Sequence, residues 1–322
     1  MVAAVAANCV IGVDIGGTKM LVGVVDESLG VLHRIQQPTA DADTNELLDR
    51  LASMVDEAVE AAPGEVLGVG FGVAGILDAK AGMIAAAPHL PLVGVPFEAL
   101  MGERLGVPVA VDNDGNTSML AEWLHGAAKG VSDAVMLTVG TGIGGGIVAN
   151  GGLVRGSSGG GAEFGHMVIE QDGEQCSCGG HGHFEWYASG DAIGRAGERL
   201  AGRNPASALA AAAVEGREVT GALVTELAHD GDAASIEAIV EVGKRLGQGM
   251  VSITNIFNPE LIVVGGGAIA AGDLLLGPAR EIVEREALAS LGANVSIVPA
   301  EFGADAGVIG AAVLAFEQMA QA

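Results

Sequence analysis

The chain has 322 residues, half of them apolar, with 15 basic against 40 acidic side chains and a formal net charge of −25. That field repels nucleic acid and anionic membrane surfaces, so neither is an expected partner, and a bound nucleotide has to be held by local N–H groups and a metal. No apolar run is long and uncharged enough to span a bilayer, the start lacks the basic segment of a secretory signal, and Cys176 and Cys178 look like metal ligands of a reducing compartment, so the cytoplasm is the expected location.

Residues 9–14 and 20–25 are apolar and β-branched, which predicts two strands joined by the turn Gly16-Gly17-Thr18-Lys19. A third strand is predicted over 31–36. A helix is predicted over 44–62, where Leu47, Leu48, Leu51, Met54, Val55, Ala58 and Val59 fall on one face. A strand at 66–72, a helix at 97–105 and a strand at 107–111 follow, and Asn113 and Asp114 stand at the mouth of a helix over 115–126. A second series opens with a buried strand at 133–140, a glycine-rich turn at 140–146 and a strand at 145–149. Residues 156–184 are loop-rich and gather histidine and cysteine. Helices are predicted over 185–200, 205–214, 218–229 and 232–257. A short buried strand at 261–264, a strand near 294–298 and a last helix at 304–319 close the chain. Strand, strand, glycine turn, then alternating helices and strands occurs twice, which predicts two related α/β lobes.

Three glycine loops carry the chemistry. In Asp14-Ile15-Gly16-Gly17-Thr18-Lys19 a strand delivers a carboxylate to a tight turn. The two glycines let backbone N–H groups approach phosphate oxygens, Thr18 and Lys19 add a hydroxyl and a cation, and Asp14 would orient Mg²⁺ through water. An ordinary hairpin turn is the plain alternative. Gly140-Thr141-Gly142-Ile143-Gly144-Gly145-Gly146 has no P-loop lysine and leads into a strand rather than a helix, which argues against a dinucleotide fingerprint and for a hairpin with open N–H groups. Two such hairpins, one per lobe, could grip one triphosphate. Gly265-Gly266-Gly267 follows a buried strand and opens a helix, leaving room for a base or ribose, or serving only a close helix–strand contact. On residue type alone, Asp112 or Asp114 in Asp112-Asn113-Asp114-Gly115-Asn116 reads as a helix N-cap.

Together these loops resemble the actin–hexokinase superfamily of ATPases. Gly161-Ala162-Glu163-Phe164-Gly165-His166, followed by Cys176-Ser177-Cys178-Gly179-Gly180-His181-Gly182-His183-Phe184-Glu185, narrows the resemblance to the ROK family of repressors and sugar kinases. It covers essentially the whole chain, including the closing Gly303–Ala312 segment. The resemblance implies a two-lobed, actin-like (ribonuclease H-like) α/β fold with a cleft. The small lobe would comprise 1–112 with about 301–322, and the large lobe 113–300 with a zinc loop at about 156–185. It implies ATP-dependent phosphorylation of glucose to glucose 6-phosphate with Mg²⁺ and a structural Zn²⁺, in a homodimer or homotetramer. By the same resemblance Asp114 is the general base, in keeping with the need of an attacking hydroxyl to lose its proton. Ala74, Gly75, Asn113, Asp114, Glu163, His166 and Glu185 would meet the sugar. Asp14, Gly16, Gly17, Thr18, Lys19, Gly140, Thr141, Gly142, Gly144, Gly265, Gly266 and Gly267 would meet ATP.

The chain departs from the family pattern in two places. The family's metal set is one His and three Cys; His166, Cys176 and Cys178 match, and the third Cys position holds His183, with His181 as a neighbouring alternative. Imidazole is an accepted zinc ligand, so a Cys₂His₂ site is expected. His89 stands where the family more often has Asn, near the sugar pocket, which leaves open mannose, fructose, N-acetylmannosamine or N-acetylglucosamine. The family's repressors carry a helix-turn-helix domain ahead of the first phosphate loop, for which Asp14 comes too early, and its polyphosphate-using glucokinases lack the cysteine segment. A sugar sensor without catalysis is the alternative of a different class; intact Asp14, Asp114 and both phosphate loops argue against it.

Overall fold

The computed structural model describes residues 8–39, 42–78 and 80–321, so the N-terminal segment read for a secretory signal lies in part outside them. The chain forms two compact units: one of residues up to Gly130, Leu153–Ala162 and Glu301 onward, the other of Val131–Gly152 and Glu163–Ala300.

The first unit contains β1 (Cys9–Ile15), β2 (Lys19–Asp26), β3 (Val31–Pro38), α1 (Thr44–Ala61), β4 (Val66–Val73), β5 (Ile76–Asp78), β6 (Met83–Ala86), α2 (Phe97–Leu105), β7 (Val109–Asn113) and α3 (Asp114–Leu124). Its main sheet has the order β3-β2-β1-β4-β7, with β1 antiparallel to β2 and parallel to β4. Alternation along β1 sorts the two faces. Cys9, Ile11, Val13 and Ile15 join a core with Leu47, Leu51, Phe71 and Phe97 from β4 and the helices α1 and α2. Helix α1 starts on a capping box: Asp43 accepts from the Glu46 N–H at 3.0 Å and the Glu46 carboxylate accepts from the Asp43 N–H at 2.9 Å. Six of the seven apolar residues assigned to its buried face are buried; Val59 is exposed.

The second unit contains β8 (Ala134–Val139), β9 (Ile143–Ala149), β10 (Gly152–Leu153, whose second residue falls in the first unit), α4 (Phe184–Ala188), α5 (Gly190–Arg203), α6 (Ala208–Val214), α7 (Gly221–His229), α8 (Ala233–Phe257), β11 (Leu261–Gly265), α9 (Asp273–Glu286), α10 (Ala289–Gly292) and β12 (Ser296–Pro299). Its sheet order, β10-β9-β8-β11-β12, repeats the first unit's pattern of two antiparallel strands beside a parallel set. The chain then returns to the first unit as α11 (Ala306–Gln321).

Glycines decide where α11 lies. A Cβ on Gly12 would run into the Val308 carbonyl, one on Gly70 into the Ala311 carbonyl, and one on Gly310 into the Thr117 carbonyl. The helix therefore rests directly on the sheet and on α3. This contact keeps α3 in the first unit, whereas the sequence-based division starts the second lobe at 113. The excursion Leu153–Ala162 also belongs to the first unit and not to the second. Three helices differ from their predicted spans because of their caps. The span 185–200 breaks at Ser189, which caps α5 by accepting from the Ala192 N–H, and α6 and α7 start after Ser207 and Thr220. The hairpin β5–β6 and helix α9, with Pro278 inside it, have no predicted counterparts.

Candidate active site

In the first unit, Asp14 points to the α11 face of β1, two residues beyond Gly12. Its carboxylate packs on Gly307, where a Cβ would meet Oδ2 at 2.5 Å. The turn that follows is closed by Gly16 N–H donating to the Lys19 carbonyl at 3.0 Å and braced by the Thr39 hydroxyl donating to the Gly16 carbonyl at 2.7 Å. Gly17, Thr18 and Lys19 are exposed. His89 lies on this turn: a Cβ on Gly17 would meet the His89 Cβ at 2.6 Å, and the two residues help line a cavity of about 330 Å³ with Thr39, Pro88 and Pro91.

Asp112, Asn113 and Asp114 divide three tasks. The cap of α3 is Asn113, whose Oδ1 accepts from Gly115 N–H at 2.8 Å and Asn116 N–H at 3.2 Å, while its amide donates to the Gly75 carbonyl at 3.1 Å. Asp112 is buried with both oxygens engaged: Oδ1 accepts from Asn113 N–H at 2.8 Å and the Asn116 amide at 2.9 Å, and Oδ2 accepts from Arg155 Nε at 2.7 Å. Asp114 is the first residue of the helix, so neither aspartate is the cap. Burial pushes the Asp114 carboxyl up from the usual range, and hydrogen bonds from Gly115 and Asn113 pull part of the way back. Asp14 is raised to about 7, by burial first and by the charge of Asp114 second, with Lys19 opposing. Asp14, held near neutrality chiefly by burial and secondarily by the Asp114 charge, offers a carboxylate suited to a hydrated divalent cation.

The Asp14 shift carries a pH signature. Its folded value lies above its unfolded one, so the stability contribution is full below about pH 4 and is lost as the pH rises through about 7. Asp14→Asn is therefore expected to melt above the wild type at pH 8 without Mg²⁺ by several degrees, with a smaller margin at pH 5. A margin that shrinks as the pH rises would show the shift to have the opposite sign.

In the second unit, the turn of the hairpin β8–β9 is held by Gly140 N–H donating to the Gly142 carbonyl at 2.9 Å and by Gly190 N–H, from the start of α5, donating to the Gly140 carbonyl at 2.7 Å. Among the described residues, chain neighbours aside, no atom lies within 4 Å of where a Gly140 Cβ would be. Thr141 is exposed, and a Cβ on Gly144 would press on the Thr138 hydroxyl. Gly265 ends β11. Gly266 has φ of 85° and no room for a side chain against Val139, so it is fixed by packing, whereas Gly267 faces open space.

Beside that turn, the loop-rich segment folds around four side chains. One ligand atom from each of His166, Cys176, Cys178 and His183 lies within 4.8 Å of every other. The two Nδ1 atoms are 3.3 Å apart, and His183 Nδ1 is 3.2 Å from Cys178 Sγ. A nitrogen pair about 3.3 Å apart is the edge of a tetrahedron whose centre lies about 2 Å from each nitrogen, which is the zinc–imidazole distance. His181 turns elsewhere, with Nδ1 3.2 Å from the Gly173 carbonyl. The Cys176 thiol donates to Glu185 Oε1 at 2.8 Å, and burial and that carboxylate raise it to about 11. The other Glu185 oxygen lies against Gly142, where a Cβ would meet it at 2.6 Å. Glu185 thus bridges the cluster and the glycine turn. Glu163 Oε2 is 3.9 Å from His166 Nε2, on the ring edge away from the cluster.

The first unit therefore brings together Asp14, the 16–19 turn, Ala74, Gly75, Asn113 and Asp114, and the second Glu163, His166, Glu185, the 140–144 turn and the cluster. Sequence reading missed Arg155; the available signal was a cation directly before the glycine-rich stretch 156–161 in a chain with only 15 basic residues. Ala162, just before Glu163, holds a left-handed φ of 67°. Ala162→Gly is expected to stabilise the protein by about 1 kcal/mol, read as a Tm rise of roughly 2–4 °C; a fall in Tm would mean that the methyl group packs for a purpose.

The ROK family model matches residues 10–318. The glucokinase of Streptomyces coelicolor is 35% identical over 313 residues, covering 95% of this chain and 97% of that protein. The glucokinase of Thermotoga maritima is 33% identical over 311 residues, covering 96% and 98%. Among solved structures, a ROK family glucokinase from Streptomyces griseus in complex with glucose and AMPPNP superposes with a TM-score of 0.88 at 34% identity, covering 96% of this chain and 99% of that one.

Proposed function

The chain belongs to the ROK family, with its two-domain actin-like ATPase fold, and we propose that it is an ATP-dependent glucokinase with Asp114 as general base. The observation that carries the reading is the placement of Asp114. It opens α3 without having to cap it, because Asn113 does so, and burial raises its proton affinity toward that of a working base. The glucose 6-hydroxyl oxygen bonds to the γ-phosphorus as its proton passes to Asp114, and the bond to the β–γ bridging oxygen breaks to release ADP. Glucose offers hydroxyls that both donate and accept, which suits Asn113, Glu163, His166 and Glu185 as its partners, with the Ala74–Gly75 backbone beside Asn113.

Asp14 would hold a hydrated Mg²⁺, which supplies charge neutralisation on the phosphates when bound. The glycine turns at 16–19 and 140–144 would each offer N–H groups to phosphate, and the space at Gly267 would take the base or ribose. The cluster of two cysteines and two histidines would hold a structural Zn²⁺ that fixes His166 and Glu185. Among the described residues no helix is long and apolar enough to cross a membrane; ATP as the phosphoryl donor makes the cytoplasm the proposed location.

The test is ADP production from Mg·ATP with glucose, mannose, fructose, N-acetylglucosamine, N-acetylmannosamine and no sugar. Strong turnover with glucose alone supports the reading. Strong turnover with a different sugar instead would keep the kinase and change the hexose. Turnover with none of them in folded, metal-loaded protein would overturn it.

A further inference from the structure

We propose that Arg155 is a positioning residue for the phosphoryl transfer, its ion pair with Asp112 tying the excursion 153–162 to the segment that presents Asp114; the proposal rests on the kinase reading above. Asp112 is only 6% exposed, and the guanidinium is its one cationic partner among the described residues, at 2.7 Å. The two atoms of the carboxylate act on different things. Oδ2 takes the arginine, while Oδ1 takes the Asn113 N–H and the Asn116 amide. Asn113 and Asn116 lie on either side of Asp114, and Asn113 caps the helix that Asp114 opens. A rotation of Asp112 is therefore felt on both sides of the base.

The excursion is built to arrive at Asp112 in one way. Gly161 N–H donates to the Arg155 carbonyl at 3.0 Å and closes the loop on itself. Gly156 and Gly159 take φ of 74° and 105°, which the tight path requires. Gly160 is pressed on Ile76, where a Cβ would meet Cγ2 at 2.7 Å, one residue past Gly75. The loop thus seats at two points, Asp112 and Ile76, each adjoining a residue assigned to the sugar, and then runs directly into Glu163. An ion pair between two exposed partners would contribute little; here the arginine is half-exposed but the carboxylate is buried. With Asp112 buried, loss of the arginine leaves a charge that must find water or move, and a movement of Asp112 strains or breaks its hydrogen bonds with the Asn113 N–H and the Asn116 amide.

The experiment compares the wild type with Arg155→Ala, Arg155→Lys and the double variant Asp112→Asn/Arg155→Ala, reading kcat and KM for glucose and ATP, glucose affinity by tryptophan fluorescence, and the thermal midpoint. Arg155→Ala is expected to lower kcat on the order of 10- to 100-fold, with KM for ATP within about 2-fold of the wild type. Lysine should restore most of the loss, since one N–H donor serves Asp112. The double variant should be faster than Arg155→Ala, because a neutral amide at 112 needs no cation yet still accepts from Asn113 and Asn116. The proposal is overturned if Arg155→Ala keeps kcat within about 2-fold. It is also overturned if the double variant recovers the thermal midpoint but no kcat, which would make the pair structural only. A wild type without turnover on any sugar would overturn the kinase reading and this role with it, whereas the other failures leave that reading standing.

Discussion

Asp114→Asn is expected to lower kcat for glucose phosphorylation by about 10²- to 10⁴-fold while glucose affinity stays within a few-fold of the wild type. The separation follows from the helix terminus. Asn113 provides the cap, Asp112 orients the cap, and Asp114 contributes only its first helical position and its carboxylate. The amide keeps the shape and removes the proton acceptor, so α3 should stay folded and its buried residues Asn116–Glu122 packed. The thermal midpoint should not fall, because burial already disfavours the charged carboxylate that is lost. Isothermal calorimetry with glucose beside steady-state turnover separates the two effects. Turnover near the wild-type rate would take the base role away from Asp114.

Removing the metal set is expected to have the second largest effect. Cys178→Ser should lose bound zinc, lower kcat/KM for glucose about 10- to 100-fold and reduce the thermal midpoint. Cys178 is the exposed thiol of the set and Cys176 the buried one, so serine at 178 changes the ligand without opening the core. The cost reaches the chemistry through Glu185. With zinc bound, Cys176 would have no proton to give, and Glu185 Oε1 would be free of the thiol that donates to it here, with Oε2 against Gly142. His183→Ala should behave like Cys178→Ser, and His181→Ala should keep its zinc, since His181 faces the Gly173 carbonyl. Elemental analysis that finds no zinc in active wild-type protein would end this account.

Much of this was written in local sequence. The alternation of Cys9, Ile11, Val13 and Ile15, the helical face from Leu47 to Ala58 and the two glycine turns each depend on near neighbours, and the structure has strands, helix and hairpins there. What escaped depends on partners far along the chain or on breaks that mimic continuity. Ser189 hides a helix junction inside a helical pattern, and Pro278 argues locally against a helix that α8 packs onto. Nothing near residue 12 or 70 says that those glycines await the backbone of residues 308 and 311. His89 shows the same limit. Its segment suggested the sugar, and only the folded chain puts its Cβ against Gly17 of the phosphate turn. In the metal segment the histidine and cysteine content was legible and the family register put His183 ahead of His181; the distances bring His183 into the cluster and turn His181 to the Gly173 carbonyl.

The bare glycine face of the first unit also bears on how the protein is made. Val10, Leu21 and Val25 share a core with Val308, Ala312 and Ala315, so that surface stays uncovered on the ribosome until α11 has been synthesised. The intervening stretch from Val131 to Ala300 takes roughly 10–30 s to translate at ordinary elongation speeds. The unit that begins first is therefore finished last, and for that interval an apolar sheet face is open to chaperones and to neighbouring nascent chains.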